Sequence, residues 1–137
     1  MHFAGLNYLA VLFAGAAGFA FGAVYYTTLG GRWMRALGKT KEDIERSKSP
    51  LPFIIAAVAQ LLMAYILAGA IGHLGFDTVN VRNGVITGLF MWVGFVLTTV
   101  SVNYAFQGQK TMLTVIDAGH WLGVLMLQGL IIGWMGL

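Results

Sequence analysis

The sequence predicts an all-α integral membrane bundle of four transmembrane helices with a short amphipathic cytoplasmic loop helix. Three observations predict it. Of 137 residues, 58% are hydrophobic and only 9% charged, with a mean hydropathy of +0.79. A soluble domain carries about 25% charged residues, which it needs to cover a water-facing surface. Four stretches reach the ~20 predominantly apolar residues that cross a bilayer. They are Leu6 to Thr27, Pro52 to Gly75, Gly84 to Ala105 and Met112 to Met135. Finally, the basic residues crowd one end of this pattern. The whole chain, 1–137, reads as a single four-helix transmembrane domain.

The first stretch lacks a basic leader, and its apolar core exceeds the ~7–15 residues of a signal peptide, so it reads as a retained helix. Arg32, Arg35, Lys39, Lys41, Arg46 and Lys48 lie in the first loop, and Lys110 lies in the turn before the fourth stretch. Only Arg82 lies on the opposite side. The positive-inside rule then places the Arg32 to Lys48 loop and the Lys110 turn in the cytoplasm, with both termini outside. The expected location is the inner (plasma) membrane of the cell, as a multi-pass protein. The net charge of +3 is concentrated in that loop. It points to anionic lipid headgroups as partners and not to nucleic acid. The chain contains no cysteine, which excludes disulfides, thiolate nucleophiles and Cys-ligated metals.

Inside the first loop, Gly30-Gly31 is expected to stop the first helix. Arg32 to Leu37 follows as a short helical turn, with Trp33 at headgroup depth. Gly38 fits a helix C-cap, and Thr40-x-x-Asp43 resembles a capping box for a short helix ending near Ser47. Pro50 and Pro52 start the second span, where a missing N–H costs little.

Helices in lipid pack through small residues that let backbones approach. The first span offers Ala10, Ala14, Gly18 and Gly22. The second offers Ala64, Ala68 and Gly72, and the third Gly84 and Gly88. The fourth offers Gly119, Gly123, Gly129 and Gly133. These ridges serve either packing within one chain or contact between copies, and a homo-oligomer is expected.

The chemistry concentrates between Thr98 and Trp121. Asp117 is the sole acid inside the apolar runs, and an ionisable group buried in hydrocarbon reads by default as a site or a buried polar pair. His120 is its i,i+3 neighbour. A carboxylate beside an imidazole can orient the ring and fix its tautomer, which suits proton relay or general-base work. At ~1.5 Å per residue, Asp117, His120, Asn103, Thr99 and Gln60 share the cytoplasmic half, and Tyr25 and Tyr26 end the first span on the same side. These seven are the pocket candidates. Asn103 and Thr99 are read on one stripe of the third span with Trp92 and Gly88.

A second reading stands beside the first. Thr114-x-x-Asp117 fits a capping box, so the fourth helix could begin at Val115 with Asp117 bonding its first turn. Asn103 or Lys110 would then complete a network across the turn. Gln60 and Gln128 suit interhelical hydrogen bonds. His2 and His73 lie towards the outer surface. A bis-histidine haem is disfavoured, since His73 and His120 are separated by roughly 20 Å in depth. Neither Walker loop, zincin motif nor nucleophile elbow is present; no catalytic residue, metal site or cofactor is expected.

The opening LNYLAVLFAGAAGFAFGAVYY, the segment GRWMRALG, and TTVSVNYAFQGQ with VIDAGHWL together resemble the domain-of-unknown-function 1761 family over nearly the whole chain. The resemblance implies a small, mostly bacterial, integral membrane protein of undefined activity. Asn7, Tyr25, Tyr26, Trp33, Asn103, Asp117 and Trp121 fall within the similar motifs. Many family members carry Tyr-Ser-Pro where this chain has Tyr26-Thr27-Thr28.

Three classes of function follow. The first is a small oligomeric membrane protein that binds or moves a small solute or ion through a polar pocket in the cytoplasmic half. The second is an accessory or assembly subunit of a larger membrane complex. The third is a membrane-embedded enzyme acting on a lipid or amphiphile, which the absence of Arg and Lys from the predicted spans disfavours.

Overall fold

The structure is a computed structural model that describes residues 4–137, so His2 lies outside it. Four helices are long and apolar enough to cross a membrane. The first span is Tyr8–Leu37, the second Leu51–His73, the third Val81–Phe106 and the fourth Thr111–Met135. The short helix Lys41–Arg46 lies between the first two. No strand occurs among the described residues. The architecture is therefore the four-span, all-α membrane bundle that composition and hydropathy predict.

The first span corrects one expectation. It runs unbroken through Gly30-Gly31 for 30 residues, about 45 Å. That is longer than the ~30 Å hydrocarbon layer. Each glycine costs about 1 kcal/mol relative to Ala in a helix. Packing beyond them offsets that cost: Ala36 is buried, and Trp33 and Leu37 pack with Leu113 and Ile116 of the fourth span. Trp33 is thus a packing residue. The helix stops where expected, at Gly38 in the left-handed region (φ 74°). There Gly38 N–H donates to Arg35 O and Lys39 N–H to Met34 O, a Schellman motif that satisfies the last carbonyls. Thr40 and Asp43 form the expected capping box.

The second span starts at a proline pair, as expected, with Pro50 at its N-cap and Pro52 in its first turn. Residues 51–55 are all exposed. Five consecutive helical residues cover every face, so this end of the span stands off the others. The third span begins at Asn80, whose side chain accepts from Asn83 N–H. Its middle, Trp92–Leu97, is a π turn.

The fourth span is the centre of the bundle, packed on the first along one side and the third along the other. The two seams use small residues differently. Against the third span, a Cβ at Gly84 would strike Gly129 O, and one at Gly88 would lie 2.5 Å from Leu125 O. Backbone meets backbone there. Against the first span, glycines make room for side chains. Gly22 faces His120 Nε2, at 2.8 Å from where a Cβ would sit. Gly119 faces the Tyr25 hydroxyl at 2.9 Å, and Gly123 faces the Phe21 ring. The small-residue ridges are thus taken up within the chain. An apolar cluster including Ala14, Leu67, Ile71, Leu125 and Ile132 fills the end away from the basic loop. A second, with Ala36, Leu113 and Ile116, fills the basic end.

Candidate functional site

A line of buried polar residues runs along the fourth span, from Asp117 and His120 between the two apolar clusters to Gln128 within the cluster away from the basic end. Asp117 is 8% exposed, His120 6% and Gln128 0%. The helix carrying them begins at Thr111, with no side-chain cap at Lys110. Asp117 therefore sits nearly two turns inside, beyond the first-turn N–H groups that a capping carboxylate serves. The capping reading fails on this geometry, and Thr114 starts nothing.

The Asp117 carboxylate is held from two sides. Tyr26 OH of the first span donates to Oδ1 at 2.6 Å. Tyr104 OH of the third span donates to Oδ2, also at 2.6 Å. Two further ring donors fix the backbone alongside: Tyr25 OH donates to Ile116 O at 2.7 Å, and Trp92 Nε1 to Ala118 O at 2.7 Å. Three spans thus converge on one carboxylate.

His120 is enclosed by aromatic rings. The centroids of Tyr26 and Trp121 lie 4.9 and 4.6 Å from the imidazole, and those of Tyr25 and Phe21 at 5.6 and 6.2 Å. The sequence suggests a direct carboxylate–imidazole pair; instead both Asp117 oxygens are occupied by phenols, and Tyr26 links the two groups. His120 Nδ1 is buried and has no hydrogen-bond partner. Leaving such a group unsatisfied costs about 1–3 kcal/mol, so native structures rarely do so without a reason.

Of the seven sequence candidates, Asp117, His120, Tyr25 and Tyr26 come together. Gln60 does not join them. It pairs further along the fourth span with Gln128, whose Nε2 donates to Gln60 Oε1 at 2.9 Å and to Gln60 O at 3.1 Å. Thr99 and Asn103 are exposed. The π turn explains this: it inserts one extra residue into the helix, and the inward stripe from Gly88 and Trp92 passes to Val96, Val100 and Tyr104. Tyr104 is thus the residue that sequence reasoning missed, one position from the candidate Asn103. Lys110 also stays outside the network, its Nζ donating to Arg35 O at 3.3 Å.

Among the described residues, surface recesses occur elsewhere. One, of about 280 Å³, is lined by Ala23, Val24, Thr27 and Thr28. Another, of about 380 Å³, is lined by Arg32, Arg35, Ala36, Lys110 and Met112. No group of three or more His, Cys, Asp or Glu able to hold a metal occurs among the described residues.

The sequence model of the family described as "Protein of unknown function (DUF1761)" matches residues 9–133. The chain belongs to that family. No curated protein and no solved structure matches it.

Proposed function

From membership in a family whose description assigns no activity, we propose a function read from the site alone. The chain is a small membrane protein that binds or moves a small ion, in the first place a proton, at the Asp117 centre. One observation carries this reading: the sole acid of the spans is gripped by two tyrosine hydroxyls from different helices, inside an enclosure that also holds the unpartnered His120 Nδ1. Intramembrane carboxylates and histidines so arranged mark proton and ion pathways. The close packing favours a proton or bare ion over a larger solute.

The test is ion flux in proteoliposomes, paired with infrared difference spectra of the carboxyl group. Wild-type protein should dissipate an imposed pH gradient and show a pH-dependent carboxyl band that Asp117→Asn removes. His120→Ala should abolish the same flux. Equal leak from wild-type and Asp117→Asn liposomes, with no carboxyl band that titrates, would reject the reading.

The same proposal sets the basic end in the cytoplasm and both termini outside, in the inner (plasma) membrane. Its support is the seven-to-one distribution of basic residues and the meeting of Lys110 with Arg35 at one end. Alkaline phosphatase fused to the C-terminus should be active, and fused within the Lys39 loop it should not. The reverse pattern overturns the orientation.

A second reading is a homo-oligomer or an accessory subunit, favoured by the second span's stand-off start, residues 51–55, with apolar side chains exposed on all faces. Native mass spectrometry showing only monomer across several mild detergents, with no co-purifying subunit, would reject it.

A further inference from the structure

The recess at the basic end is independent of the Asp117 centre and has its own chemistry. Three cations line it, Arg32 and Arg35 from the first span and Lys110 from the turn. Among the described residues, neither guanidinium makes a hydrogen bond or ion pair, and Lys110 Nζ reaches only a backbone carbonyl. The fourth span starts at the same place without a side-chain cap and with no acidic residue in its first turn. Its free N–H groups add to the positive field. The rest of the lining is apolar, from Ala36 and Met112, and the fourth span's hydrophobic run begins at Met112.

We propose that this recess binds the phosphate of an anionic phospholipid. The three cations take the oxyanion, Arg32 and Arg35 offering planar donor forks that match phosphate, while Met112 and Ala36 meet the start of the acyl region. The shared chemistry is a phosphate oxyanion. The mixed lining selects a membrane lipid over a free anion, because a soluble phosphate gains nothing from apolar walls. Diffuse attraction of the loop to a charged surface would need no recess, and would weight Lys41, Arg46 and Lys48 equally with the three residues named.

The test uses the full chain in a neutral detergent, with lipid retention read by native mass spectrometry. The probes are phosphatidylglycerol, phosphatidylcholine and inorganic phosphate. One phosphatidylglycerol should be retained in preference to phosphatidylcholine, and millimolar inorganic phosphate should not displace it. Each cation near a membrane surface contributes a factor of about fivefold to such binding. Arg32→Gln should therefore weaken retention about fivefold. The triple Arg32→Gln, Arg35→Gln, Lys110→Gln variant should weaken it by about a hundredfold. Arg82→Gln and the pair Lys41→Gln, Arg46→Gln should leave it unchanged. The Arg32 side chain makes no hydrogen bond in the structure, so its variant keeps the fold, with an unchanged melting temperature as the control. Equal weakening by the Lys41, Arg46 pair would show a diffuse charge effect and overturn the site. So would retention unaffected by Arg32→Gln. Displacement by inorganic phosphate would overturn the lipid assignment.

Discussion

The chain contains the pattern Thr-x-x-Asp twice, and the two copies do opposite things. At Thr40 to Asp43 the pattern closes a capping box: Asp43 N–H donates to Thr40 Oγ1, and Thr40 N–H donates to Asp43 Oδ2 at 2.9 Å. At Thr114 to Asp117 the helix has already begun at Thr111, and the carboxylate turns to Tyr26 and Tyr104. The difference lies in what precedes each copy. Gly38 ends a helix immediately before the first, so a new one must start and its N–H groups need acceptors. Before the second, Gly108 (φ 66°) places the break six residues ahead of Thr114, and the next helix starts from Lys110. A four-residue pattern does not itself say whether a carboxylate caps a helix or waits inside one. The position of the last break decides.

The largest consequence of that difference falls on stability. Asp117→Ala removes the acceptor for two phenol hydroxyls, and unsatisfied buried donors cost about 1–3 kcal/mol each. A loss of about 2–6 kcal/mol is expected in thermal or denaturant melting. Asp43→Ala should leave global melting unchanged, since its capping box lies in an exposed loop helix. Equal costs at the two aspartates would break the comparison.

A second, smaller effect tests the register that the π turn imposes. Tyr104→Phe and Tyr26→Phe should each cost about 1–2 kcal/mol, for one lost hydrogen bond with a polar partner left behind. Asn103→Ala should fall within about 0.5 kcal/mol, as surface changes do. If Asn103 proves costly and Tyr104 neutral, the inward stripe follows the unbroken period and the π turn is not the cause.

These residues also mark how much was legible beforehand. Hydropathy alone places the four spans to within a few residues at most ends, because the requirement to satisfy every backbone group in lipid leaves little choice but helix. The first span's basic end is the exception. Its extension depends on Trp33, Ala36 and Leu37 finding Leu113 and Ile116, a contact between residues far apart in sequence. Asp117 and His120 were legible as costly groups in an apolar run. The partners of Asp117 were legible only in part. Tyr26 lies on the ridge side of the first span, in step with Gly22 and Gly18, whereas Tyr104 comes inward only after an inserted residue that no composition or spacing announces. Gln60 was placed by depth counted from its own helix start. That measure fails because the start of the second span is not level with the start of the fourth: nine residues into the second, Gln60 meets Gln128, seventeen residues into the fourth.

The threonines sharpen the comparison further. Thr40→Ala removes the hydroxyl that accepts from Asp43 N–H, and loss of such a cap costs about 1 kcal/mol of helix stability. The helix Lys41–Arg46 should fray, seen as faster amide exchange confined to that segment. Thr114→Ala should leave exchange in the fourth span unaltered, because no cap is lost. Faster exchange at residues 115–118 would restore the capping reading of the second copy.

The smallest effect is the pH response of the first copy. The backbone N–H and hydroxyl of Thr40 hold the Asp43 carboxyl below its ordinary 3.8, with Lys39 adding to the same direction. A carboxyl depressed in the folded state stabilises it fully above the unfolded value and loses that contribution as pH falls through the folded value. The helix Lys41–Arg46 should therefore be unchanged from neutral pH down to about 5, then fray in acid with a midpoint below 3.8. The Asp43 side-chain carbonyl shift and the amide exchange of residues 41–46 should follow one curve. Asp43→Asn should abolish the acid step while keeping much of the cap, since an amide oxygen still accepts from Thr40 N–H. Salt should move the midpoint only slightly, because the hydrogen bonds to Thr40 outweigh the Lys39 charge and only the latter is screened. A midpoint at or above 3.8, or fraying that Asp43→Asn does not change, would mean that the first Thr-x-x-Asp no more governs its helix than the second governs the fourth span.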